Sequence, residues 1–269
     1  MPYADSNGIK LYYEERGSGD PLLLIMGITA PGSVWEEHVS FWEKEFHCIL
    51  FDNRGVGQSD KPEGPYTSEQ MADDASGLLR SLQIPEANVA GVSMGSIIAQ
   101  QLAIRHSDQV RSLVLMCPWA RCDHRTEAVF RHLMHIKAHL RPEQFQHFIQ
   151  YLIFDRSSWD NEEQRVEFEE GQQAASTNPN PQPLHGLEGQ AEACIRHDVL
   201  NQLPSISQPA LVIGGEEDRF VPAWMVREVA EQIPNSSLHL YEDAGHAFHW
   251  EQLDDFNSRV LDWLKGLDS

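Results

Sequence analysis

Val89-Ala90-Gly91-Val92-Ser93-Met94-Gly95 is the stretch on which the fold turns. A short apolar run, Asn88–Val92, leads into it, and a run with helical spacing, Gly95–His106, leaves it. The pattern Gly91-x-Ser93-x-Gly95 therefore sits where a buried strand hands over to a helix. A serine on such a turn has a sharply bent backbone, and glycines two before and two after keep the crowded turn free of side-chain clashes. The N–H groups that open the helix point at the site, where they can stabilise an oxyanion. The plainer role for Ser93 is a helix cap. The strand before it and the partners downstream favour a nucleophile instead.

Outward from this turn the chain alternates. Leu22–Met26, Cys48–Phe51, Asn88–Val92 and Val110–Met116 are near-continuous in apolar residues, as strands covered on both faces are. Ser68–Leu82 and Gly95–His106 carry apolar residues at helical spacing between them. Such alternation predicts a mostly parallel sheet built from βαβ units, an α/β fold. Upstream, Asn7-Gly8 separates Tyr3–Asp5 from Ile9–Glu15, the signature of a two-residue β-hairpin. From Trp119 to Leu203 the strands stop. His124–Leu140, Pro142–Phe154 and Asn161–Ala175 have helical character, and Asn178-Pro-Asn-Pro-Gln-Pro183 is a loop that no helix crosses. The alternation resumes with a strand at Ala210–Ile213, a helix at Ala223–Gln232, a strand at Leu238–Tyr241 and a last helix from Gln252 to Lys265. The expected organisation is a core domain of residues 1–118 and 204–269 interrupted by a helical cap, residues 119–203.

A serine is a weak nucleophile at neutral pH and needs a base, and histidine has the right pKa. Of the chain's 13 histidines, His246 is placed best, because it follows a predicted strand in Glu242-Asp-Ala-Gly-His246. Open α/β folds put their ligands at the carboxyl ends of strands. His249 is the nearby decoy, a surface residue or a pocket wall. The acid that orients the imidazole should come from Gly214-Gly-Glu-Glu-Asp218, after the preceding strand. Asp218 is the choice there, with Glu216 and Glu217 as rivals. The order Ser, acid, His is that of a nucleophile elbow on an α/β sheet.

With these motifs in place, the chain resembles the α/β-hydrolase family over nearly its full length. The likeness covers Leu22–Gly27, Asp52-Asn-Arg-Gly-Val-Gly-Gln-Ser59, Gly91–Gly95, Gly215–Pro222, and Ala244-Gly-His246 with Glu251. The family's acid lies in Gly-x-x-Asp followed by a proline; here that is Gly215-Glu-Glu-Asp218 with Pro222, which separates Asp218 from its rivals. The resemblance implies an eight-stranded, mostly parallel sheet with flanking helices, a helical cap after the sixth strand, and no cofactor. It also implies an oxyanion hole made by the backbone N–H groups of Ile28 and Met94. Relatives commonly carry His-Gly at that loop, where this chain has Met26-Gly27-Ile28. Backbone donors do not depend on side-chain identity, so the hole is expected to survive.

A serine nucleophile implies attack on a carbonyl. The leading expectation is a carboxylic-ester hydrolase acting on a small ester or lactone, an esterase or lactonase. The runner-up is a carbon–carbon hydrolase of aromatic ring-cleavage products, suggested by Asp218-Arg-Phe-Val-Pro222 and Gly245-His-Ala-Phe-His-Trp-Glu251. The glycine-rich oxyanion loop of those enzymes is missing, and Ser96 stands where they often have glycine. A ligand receptor with little turnover on the same fold is the third reading.

The remaining features exclude more than they assign. Lys and Arg total 20 against 41 Asp and Glu, a net charge of −21. Such a surface repels nucleic acid and anionic membranes. No apolar run approaches a membrane span, and the N-terminus lacks the features of a signal peptide, so a cytoplasmic protein is expected. Four cysteines, Cys48, Cys117, Cys122 and Cys194, are too few for a disulfide scaffold. His132, His135 and His139 share a helix face but lack a carboxylate or cysteine to complete a metal site. Arg54 is expected in a structural ion pair. Trp119, Met94 and Ile28 are the substrate-pocket candidates. Trp159, Phe130, Phe145, Phe148 and Phe154 are expected mainly to form the core of the cap. A monomer and a homodimer are equally compatible with the sequence.

Overall fold

The Asn7-Gly8 turn places both residues at positive φ, 49° and 81°, as a tight hairpin requires. It joins β1 (Tyr3–Ser6) to β2 (Ile9–Arg16) in antiparallel register, Tyr3 opposite Tyr12. This computed structural model describes residues 3–267. After the hairpin come β3 (Asp20–Ile25), α1 (Glu36–Trp42), β4 (Phe46–Phe51), α2 (Ser68–Ser81), β5 (Ala87–Val92), α3 (Met94–Arg105) and β6 (Val110–Met116). Five helices follow: α4 (His124–Lys137), α5 (Pro142–Ile153), α6 (Arg156–Asp160), α7 (Glu162–Thr177) and α8 (Leu184–Arg196). The chain then returns to β7 (Ala210–Gly215), α9 (Ala223–Gln232), β8 (Ser236–Tyr241), α10 (Phe248–Glu251) and α11 (Leu253–Gly266).

Among the described residues, eight strands form one sheet in the order β1-β2-β4-β3-β5-β6-β7-β8. The pairs β1–β2 and β2–β4 are antiparallel, and every later pair is parallel. The central strands are buried along their length, as the continuous apolar runs predict. The order reverses around β3. The chain leaves β3 towards β4 on one side and leaves β5 towards β6 on the other. The carboxyl ends of β3 and β5 are neighbours, with Ile25 opposite Gly91. An α/β sheet opens a ligand crevice at such a reversal, and the Met26–Thr29 loop and the Ser93 turn meet there.

The helical block lies between β6 and β7, and its first and last segments meet in an isolated antiparallel bridge between Arg121 and Asp198. Side-chain caps set several helix starts: Asp123 accepts from Thr126 N–H at 2.7 Å, and Asn161 accepts from Glu163 N–H at 2.9 Å. Four helices lie outside those predicted from the sequence: α1, α6, α8 and the short α10. In α8 the glycines Gly186 and Gly189 lower helix propensity and hide the pattern. Their purpose is close approach, because a Cβ on Gly186 would overlap the Gly55 carbonyl oxygen and one on Gly189 the Tyr66 ring. Arg54 forms the expected buried ion pair, with its Nε and Nη2 at 2.5 and 2.6 Å from the two oxygens of Asp74.

Candidate active site

Ser93 stands at φ 55°, ψ −118°, a conformation that costs an L-residue about 1–3 kcal/mol and persists only when its surroundings enforce it. Here they do. Ser93 N–H donates to the Met116 carbonyl of β6 at 2.8 Å, and Ser96 Oγ donates to the Ser93 carbonyl at 2.6 Å. A Cβ on Gly95 would overlap the Ile25 carbonyl oxygen, and one on Gly91 the Gly95 carbonyl oxygen. Both glycines are therefore required where β3, β5 and α3 crowd together.

His246 and Asp218 arrive from the loops after β8 and β7. His246 Nδ1 lies 2.7 Å from Asp218 Oδ2, and both side chains are buried. Asp218 Oδ1 is fixed by the N–H groups of Phe220 and Val221, each at 2.8 Å. The Asp218 side chain thus holds the ring through Nδ1 and leaves Nε2 without a partner among the described residues. The Phe220 ring packs on the imidazole, with centroids 5.0 Å apart. Glu216 is drawn off into an ion pair with Arg227, and Glu217 is exposed. Cys117, at the end of β6, touches the same corner: its Sγ donates to the His246 carbonyl at 3.4 Å. Burial, reinforced by the charge of Asp218, pushes this thiol well above its ordinary pKa. It stays a thiol and is not a competing nucleophile.

Ser93 and His246 line one cavity of about 960 Å³ between the sheet and the helical block. Among the described residues, Ser93 Oγ has no hydrogen-bond partner. The N–H groups of Ile28 and Met94 are likewise unengaged among the described residues. The loop that carries Ile28 is braced without the histidine common in relatives. Asn53 Nδ2 donates to the Met26 carbonyl at 3.0 Å, and Thr29, at φ 73°, donates its N–H to Gln190 Oε1 on α8 at 3.0 Å. Asn53 and Gln190 are positioning residues: Asn53 lies in the Asp52–Ser59 stretch but no role follows for it from sequence, and Gln190 carries no motif.

Two pocket candidates are corrected. Trp119 is fully buried away from the cavity, with Phe130 and His197 as its ring neighbours, and the Met94 side chain is enclosed in the core. Trp119 follows β6, but its ring packs against Phe130 of α4 and His197 after α8, so it serves the seam between sheet and cap. Ile28 does line the cavity, and the aromatic wall is made by Phe154, Phe168, Phe220 and Trp250. His132, His135 and His139 lie exposed, and Nδ1 of His132 and of His139 already bonds to a carbonyl one turn back. No helix among the described residues is long and apolar enough to cross a membrane.

A profile of the alpha/beta hydrolase fold family matches residues 20–253. The chain belongs to the α/β-hydrolase family. Within this family it is 30% identical over 268 residues to "Putative carbamate hydrolase RutD" of Azorhizobium caulinodans, a match that spans 100% of each chain. The enol-lactonase of Burkholderia xenovorans LB400 superposes with a TM-score of 0.89 at 28% identity, over 98% of this chain and 100% of its own. A thermophilic esterase of Thermogutta terrifontis gives a TM-score of 0.87 at 26% identity, over 99% of this chain and 98% of its own. These α/β-hydrolase relatives are named for different carbonyl substrates. Kinship thus supports a hydrolase and leaves the substrate to the cavity.

Proposed function

We propose that this α/β-hydrolase cleaves a small carboxylic ester or lactone through an acyl-enzyme, with Ser93 as nucleophile, His246 as base and Asp218 as the orienting acid. The observation that carries the reading is the unpartnered Ser93 Oγ facing a cavity that it shares with an imidazole already tethered by a fixed carboxylate. Ser93 Oγ attacks the carbonyl carbon as His246 Nε2 takes its proton. The tetrahedral oxyanion is held by the N–H groups of Ile28 and Met94. The imidazolium, steadied by Asp218, gives its proton to the leaving alkoxide. Water then attacks the acyl-enzyme with His246 again as base, and the acid and free Ser93 result. In a lactone the leaving alkoxide remains joined to the acyl group.

The cavity wall separates the ester reading from the carbon–carbon one. Ring-cleavage products are dienoates with a free carboxylate, and an enclosed carboxylate needs a cationic partner. No Lys or Arg lines this cavity among the described residues, whereas Glu36, Glu37 and Glu167 do. A neutral ester or lactone suits such a wall. A carbamate ester presents a carbonyl between an alkoxide and an amine, and attack by Ser93 expels the alkoxide and leaves a carbamoyl-enzyme, so it belongs in the test beside the esters.

The test is hydrolysis of short p-nitrophenyl esters, a simple lactone, an aryl carbamate and a ring-cleavage dienoate by the wild type and by Ser93→Ala. Turnover of ester or lactone that Ser93→Ala lacks is expected. Cleavage of the dienoate alone would replace this reading with the carbon–carbon one, and binding without turnover would replace it with a receptor.

A further inference from the structure

Behind the cavity wall three buried side chains form a chain of hydrogen bonds. Asn257 Oδ1, on α11, lies 2.7 Å from His38 Nδ1 on α1. His38 Nε2 lies 3.0 Å from Nδ1 of His249 on α10. A neutral imidazole has one N–H and one lone pair, so each link sets the next. The Asn257 oxygen can only accept, which puts the His38 proton on Nδ1. His38 Nε2 must then accept, which puts the His249 proton on Nδ1. The remaining nitrogen, His249 Nε2, carries a lone pair and has no partner among the described residues, and His249 lines the catalytic cavity. Burial holds His38 at a pKa of about 4 and, with the neighbouring His38 and His246, holds His249 well below the usual histidine range. Neither ring is charged at neutral pH.

We infer that His249 is a specificity-determining residue: its Nε2 is a fixed hydrogen-bond acceptor that recognises a hydroxyl or N–H donor on the substrate, away from the scissile carbonyl. The inference rests on the ester-hydrolase reading for the identity of the substrate. Its geometry is independent of that reading. A lone pair that faces the cavity is penalised when a plain hydrocarbon chain covers it unmatched, and a donor that reaches it is rewarded. The acceptor character is set from a distance by Asn257, which acts through His38 as a positioning residue.

The experiment has two readouts. In wild type, kcat/KM is compared for ethyl butyrate and ethyl hexanoate, for their 2-hydroxy, 3-hydroxy and 6-hydroxy counterparts, and for the ethyl ester of N-acetylglycine. At least one donor-bearing ester is expected to be favoured by about three- to tenfold, with the preference falling to near unity in His249→Phe. In ¹⁵N-labelled Ser93→Ala, which leaves the esters intact, His249 Nε2 is expected to resonate as an unprotonated nitrogen and to shift when the favoured ester is added but not with its plain analogue. A protonated Nε2, equal preference in wild type and His249→Phe, or no shift with any donor ester would each overturn the inference. If no ester is turned over but Nε2 still responds to a donor ester, the acceptor role stands and the ester-hydrolase reading falls.

Discussion

Glu251 Oε2 accepts a hydrogen bond from the Gly245 N–H at 2.7 Å, one residue before His246. The other oxygen of the same carboxylate accepts from Asp155 N–H at 2.6 Å and Ser158 Oγ at 3.1 Å, at the start of α6. One side chain therefore fastens the histidine loop to the helical cap, and Ala247 N–H adds a bond to the Ile153 carbonyl at 2.9 Å. Burial raises the Glu251 pKa, so its placement costs free energy that these donors offset.

Glu251→Ala strands the Gly245 and Asp155 N–H groups and frees the loop beside His246. The expected loss is roughly 2–4 kcal/mol of stability, measured by urea denaturation, together with a fall in kcat. Unchanged kcat with reduced stability would mean that the tie serves folding only.

Gln190→Ala removes the acceptor that holds Thr29 N–H, and with it the brace from the cap to the Met26–Thr29 loop, the proposed oxyanion loop. A misplaced donor loses transition-state stabilisation more than substrate binding. A drop in kcat of about tenfold or more with a nearly constant KM is expected. Steady-state kinetics with a short ester checks it, and an effect confined to KM would contradict the bracing role.

Gly95→Ala forces a Cβ into the Ile25 carbonyl, where neighbouring backbone cannot yield. Overpacking of this kind costs about 1–3 kcal/mol and occasionally more, and here it also shifts the Ser93 turn. The expected outcome is a lower melting temperature with activity lost; a variant as active and stable as wild type would show that β3 and α3 can separate.

Acid should weaken the fold through its buried histidines. His38, at about 4, and His197, at about 3, titrate well below the 6.5 of an unfolded chain. Between these values the unfolded state binds protons that the native state refuses, so stability rises with pH and falls on acidification. Each histidine contributes a slope of about 1 kcal/mol per pH unit. Urea midpoints at pH 7, 6 and 5 measure it, and His38→Asn should show a shallower slope. Equal slopes in the two proteins would mean that His38 is protonated in the native state.

Much of the site was legible because its parts are local. Gly91-x-Ser93-x-Gly95 encodes a turn through steric demands within five residues, and Asp218 and His246 follow strands recognisable from continuous apolar runs. Helix α8 was not legible, since Gly186 and Gly189 read as breakers until Gly55 and Tyr66 are seen pressing against them. Trp119 was misjudged for a related reason. Its place after β6 said where the backbone goes, and its ring direction depends on Phe130 and His197.

The sequence by itself determined the alternation of strands and helices, the place of the inserted helices and the order of serine, acid and histidine. These follow from hydrophobic period and turn chemistry, which act over a few residues. Tertiary structure alone decided which aromatics face the cavity, that Asn53 and Gln190 brace the Ile28 loop, and that Asn257 reaches His249 through His38. Those relations join residues up to 219 positions apart. Hydrogen-bond direction and ring orientation are set by the partner across the gap, and no local pattern records a partner that the chain meets only after it has folded.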